Sequence, residues 1–80
     1  MDWLTEVTLE IARATGLEPA DLLVDEIAAQ TLLDLAGTAA HATGERTNAP
    51  LLCHVLGRAV ALGASLDDCA GVVRAAAGEH

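Results

Sequence analysis

This chain has to build an interior almost without aromatic side chains, since it holds no Phe, no Tyr and a single Trp. Its core must therefore come from Leu, Val, Ile and Ala. Alanine is the strongest helix former but contributes almost no buried volume. A chain of only 80 residues also buries a smaller share of its surface than a longer one. Together these facts predict a helical domain with a modest core, one that needs a partner or a second copy of itself to complete it.

Apolar residues recur with a period near 3.6 in every segment, and none alternates as a strand would. Asp2 is placed to cap a first helix, with Glu6 near its positive end. Leu4, Val7, Ile11 and Ala14 make the apolar stripe of that helix, Glu6, Glu10 and Arg13 its opposite face, and Gly16 its stop. Trp3 and Leu9 flank the stripe, where they either close the bottom of the core or form an exposed patch for a partner. Pro19 and Asp21 suit a second helix start. Residues 19–43 read either as one helix or as two divided near Val24 and Asp25, with Leu23, Ile27, Leu32, Leu35, Ala36 and Ala39 as the apolar side. Gly37 in that segment predicts the close approach of another helix.

Gly44 is the next expected stop, with Asn48 as cap and Pro50 in the first turn of the following helix. Its wide apolar face runs through Leu51, Leu52, Val55, Leu56, Ala59, Val60 and Leu62. Ser65 and Asp68 resemble a capping box that opens a last helix on Leu66, Cys69, Ala70, Val73, Ala76 and Ala77. With short connections throughout, the expectation is one all-α domain over residues 1–80, a small antiparallel bundle of four or five helices.

The net charge of −8 sets twelve acids against Arg13, Arg46, Arg58 and Arg74, with no lysine. Such a surface repels phosphate, which argues against nucleic acid and anionic membrane as partners. No charged-then-apolar leader opens the chain and no apolar run approaches the ~18 residues of a spanning helix, so a cytoplasmic protein is expected. Cys53 and Cys69 are too few for a disulfide scaffold and read as buried free thiols.

A phosphate-cradling Gly-rich loop, a Cys-x-x-Cys pair, a His-Glu-x-x-His motif and a nucleophile elbow are all missing. The expectation is a non-catalytic protein with no cofactor. A metal site is not expected either, because the adjacent Cys53 and His54 point about 100° apart on a helix; His80, at the terminus, is uninformative. The better polar constellation is His41, Glu45, Arg46 and Asn48, at the connection between the two longest helical segments. It has two readings. Arg46 beside free backbone N–H groups at a helix start could hold a carboxylate or phosphate, such as that of a nucleotide or pterin. Alternatively Arg46 pairs with Glu45 or Asp34, His41 bonds loop carbonyls, and the group only fixes a helix angle. His54 and Arg58, one turn apart, form a second polar strip, either solvated or in contact with a partner.

Asp2-Trp3-Leu4, the run Leu32–Ala36, Ala40-His41, Glu45-Arg46, Ala49-Pro50-Leu51 and Gly57 also resemble a small uncharacterised bacterial helical domain. That family occurs alone or appended to molybdenum cofactor guanylyltransferase, and the resemblance covers nearly the whole chain. An Arg-Pro-Ala-Ala-Pro run is usual in the family, whereas here Arg46 and Pro50 enclose Thr47, Asn48 and Ala49. The resemblance implies a link to molybdenum cofactor maturation and supplies no catalytic residue. The function expected is thus an accessory protein-interaction module that can form a homodimer, with Trp3 and Leu9 at its interface. A small ligand-binding module built on residues 41–50 is the alternative.

Overall fold

The computed structural model describes residues 2–78, and these form five helices and no strand. His80 lies outside them. The helices are α1 (Trp3–Thr15), α2 (Pro19–Leu22), α3 (Glu26–Thr43), α4 (Asn48–Ala61) and α5 (Leu66–Ala76). The all-α class and the small-bundle architecture expected from the periodicity are what the chain adopts.

Local hydrogen bonds set the boundaries. The Thr5 N–H donates to Asp2 Oδ1 at 2.8 Å and the Ala28 N–H to Asp25 Oδ1 at 2.7 Å, capping α1 and α3. Because Asp25 is extended and capping, residues 19–43 divide into two helices at Leu23–Asp25. Gly16 and Gly44 end α1 and α3 at φ of 73° and 70°, a left-handed conformation that a Cβ disfavours. At α5 the Asp68 N–H reaches Ser65 Oγ at 3.3 Å, the first half of the capping box.

Asn48 does not cap α4. It is the first helical residue, preceded by Thr47, whose side chain makes no capping bond. Its side-chain amide turns back instead, with Nδ2 donating to Thr43 Oγ1 at 3.0 Å. The Thr43 hydroxyl in turn donates to Ala39 O at 2.7 Å. Gly37 also departs from expectation: a Cβ built there would meet nothing within 4 Å, so no helix approaches it.

Packing divides the chain in two. The α3–α4 hairpin carries α5, which lies mainly along α3. Leu35, Leu56 and Ala70, one from each helix, are buried at its centre, with Leu32, Leu52, Cys69 and Val73 around them. Both cysteines are free and half-buried. Helix α1 packs on α2 alone, and no Cα of α1 comes within 8 Å of α3, α4 or α5. The α1–α2 pair is therefore an arm on a three-helix bundle. It stretches the molecule to 40 Å and the radius of gyration to 13.7 Å, where about 12 Å is usual for this length.

Candidate functional site

The arm is rotated relative to its own sequence pattern. Ala12 is its one buried residue, at 2% exposure, and Thr5, Thr8 and Leu9 are half-buried near it. These four lie on one side of the helix. Trp3, Leu4, Ile11 and Ala14 are exposed, Trp3 at 72%. Of the expected core stripe Val7 is half-buried and the rest faces outward, the stripe being centred roughly a third of a turn from the side that packs. Thr8 tolerates the inner side because its hydroxyl bonds the preceding turn, Thr8 Oγ1 donating to Leu4 O at 2.7 Å. Trp3 does not close a core. It lines one shallow depression on α1 whose opposite edge is formed by Leu9, six residues on.

Between arm and bundle lies an open apolar cleft of about 290 Å³. Leu22, Leu23 and Val24 line it on the arm side and Cys53, Gly57 and Val60 on α4; Asp21 and Asp25 are its charged members. A Cβ added at Gly57 would meet nothing within 4 Å.

A third exposed apolar surface is the far side of α4. Leu51, Val55 and Leu62 are all exposed, Leu62 at 86%. Their spacing puts them on one strip with Arg58, with His54 beside it. Among the five helices α4 alone has neither Asp nor Glu. In a chain of twelve acids, this is the locally basic face.

The His41–Pro50 connection gathers little. His41, Glu45 and Arg46 are exposed and Asn48 is half-buried. The one ion pair among the described residues joins Arg13 to Glu10, with Nη1 and Oε1 2.7 Å apart. Arg46 thus pairs with neither Glu45 nor Asp34, and Asp34 accepts from Gln30 Nε2 instead. The side chain of His41 makes no hydrogen bond to loop carbonyls. Two of the N–H groups at the start of α4 are taken by the turn itself, Asn48 N–H donating to Glu45 O and Ala49 N–H to Arg46 O, at 3.1 and 3.2 Å, and Pro50 has none. An anion here would have to do without those three positions.

Burial in the chain is wholly apolar, with no polar or charged residue buried among those described. No three of their His, Cys, Asp and Glu side chains come together as metal ligands. None of the helices is long and apolar enough to cross a membrane. The carboxyl of Asp2 is pulled below its ordinary value, chiefly by the backbone N–H of Thr5.

The chain belongs to the family described as a domain of unknown function, DUF6457. The family's sequence profile matches residues 1–80. No curated protein and no solved structure matches the chain.

Sequence reasoning missed the outward turn of α1 and the cleft. The signal for the first was Thr5 and Thr8, which with Ala12 form a second small-residue face able to pack closely.

Proposed function

We propose that this chain is a non-catalytic, cytoplasmic accessory module that docks onto another protein through the outer strip of α4. One observation carries the reading: the acid-free helix exposes Leu51 and Val55, and the residue that caps it, Leu62, in line with Arg58. Apolar anchors one and two turns apart on a helix, rimmed by a cation, suit a partner surface that is apolar with acidic edges. The resemblance to bacterial domains appended to molybdenum cofactor guanylyltransferase makes that enzyme, or another of the same maturation route, the partner to test.

Titration of the labelled chain with the guanylyltransferase, followed by amide shifts, is the direct experiment. Shifts centred on residues 51–62 are expected, and Arg58→Glu should weaken them. Absence of binding, or shifts that avoid α4, sinks the proposal. The anion-binding alternative predicts shifts over residues 41–50 with guanine nucleotides, where the occupied N–H groups of Asn48 and Ala49 leave little to bind with.

A further inference from the structure

We propose that a second copy of this chain covers the arm: two copies exchange α1 across a two-fold axis, each apolar stripe lying in the other copy's cleft.

Area is the first argument. The chain exposes 5977 Å², whereas a folded monomer of 8.2 kDa is expected to expose about 4,500 Å². The excess, about 1,400 Å², is well above the ~800 Å² per partner of standard complexes and within the roughly 1,000–2,500 Å² per partner of obligate dimers. Exposed Trp3, Leu4 and Ile11 on α1, and Leu23, Val24 and Val60 at the cleft, contribute to it.

Complementarity is the second. One chain carries both a helix with an outward apolar stripe at i, i+3 and i+7 (Leu4 and Ile11 exposed, Val7 half-buried between them) and an unfilled apolar groove, the two halves of helix-in-groove recognition. A two-fold axis satisfies both at once, because each copy gives an arm and receives one. An unrelated partner would have to match both surfaces separately. The α4 docking strip is a different surface, so this inference stands apart from that reading.

Charge opposes the pairing but does not prevent it. The stripe itself is uncharged, yet Glu6 and Glu10 border it, Asp21 and Asp25 belong to the cleft, and each copy carries −8. Like-charged rims repel, and salt screens that repulsion. Self-association should therefore strengthen with added salt, whereas docking on a basic partner would weaken.

The test is sedimentation equilibrium of the full chain up to roughly millimolar concentration, for the wild type, Ile11→Asp and Gly57→Leu. Gly57→Leu puts a side chain into the cleft, where its Cβ meets nothing within 4 Å, and circular dichroism checks that the variant keeps its helices. The wild type should reach twice 8.2 kDa, more readily in high salt, and each variant should dimerise at least about 100-fold more weakly. Each variant alone has two damaged arm–cleft contacts. A mixture of the two can form a heterodimer with both lesions in one contact and the other intact, so mixing should restore part of the association. A wild type that stays monomeric overturns the proposal, including one whose arm closes on its own cleft. So does a dimer lost in Ile11→Asp but unchanged in Gly57→Leu, which would mean arm against arm. Amide shifts at α4 with the guanylyltransferase would survive either result, so the two readings fail independently.

Discussion

The arm and the bundle are built from the same materials, and they differ in what covers them. Helices α3, α4 and α5 each contribute one residue to a shared buried centre, Leu35, Leu56 and Ala70. Helix α1 has as clear an apolar stripe as any of them and turns it to solvent, burying only Ala12. Periodicity therefore reports that a face is apolar; it does not report what lies against that face. In a chain whose apolar residues exceed what its own core can enclose, the surplus is left exposed, as on α1 and α4.

The comparison is broken most severely at the bundle centre. Leu35 is fully buried, and Leu35→Ala should cost ~2–5 kcal/mol, enough to unfold much of a domain this small. Ile27, on the same helix but 83% exposed, should lose less than ~0.5 kcal/mol as Ile27→Ala. Urea unfolding followed by circular dichroism reads both. Comparable losses at the two positions would mean that Ile27 is covered by something the isolated chain lacks.

Next in size is the junction between the regions. Asp25 caps α3 where the arm joins it, and Asp25→Ala should cost ~1 kcal/mol. The loss should fall on the bundle, read as faster amide exchange at residues 26–29. If exchange in α1 rises equally, the arm is coupled to α3 more tightly than its packing indicates.

Such short-range features were the legible part of the fold. The caps at Asp2, Asp25 and Ser65 and the stops at Gly16 and Gly44 involve residues a few positions apart, so sequence spacing fixes their geometry. The break in residues 19–43 becomes clear once Asp25 is recognised as a cap. What spacing could not provide was competition between neighbours. Asn48 was a fair cap by type, but the helix begins one residue earlier than that, with Asn48 already its first residue and its side-chain amide donating to the Thr43 hydroxyl five residues back. Arg46 had two acids to choose from and joined neither, as exposed ion pairs gain little over hydration. The candidate site was thus readable as a list of polar residues and not as a constellation, whereas the apolar surfaces needed the packing of whole helices to appear.

Gly37 tests the opposite kind of error. A mid-helix glycine suggests a close neighbour, yet a Cβ there meets nothing within 4 Å. Gly37→Ala should therefore stabilise α3 by ~0.5–1 kcal/mol, a gain visible as a higher urea midpoint. Destabilisation instead would reveal a contact at this face that only an assembled form makes.

The smallest effect belongs to the arm's first turn, and its sign follows from Asp2. Its carboxyl lies below the ordinary value of 3.8 because it accepts from Thr5, so the ionised form is the one the folded arm favours. The stabilisation is complete above the unfolded value and is lost as the pH falls through the lowered folded one. Asp2 is fully exposed, so solvent keeps the effect small. Amide exchange at Thr5 and Glu6, followed from neutral to acid pH, should show α1 fraying from its N-terminus while α3–α5 are unaffected by this group. Asp2→Asn keeps an acceptor for Thr5 but cannot titrate, so the fraying should lose its pH dependence. If the variant frays with pH as the wild type does, another carboxyl governs the arm. Glu6 and Glu10, which border the exposed stripe, are then the groups to replace in turn.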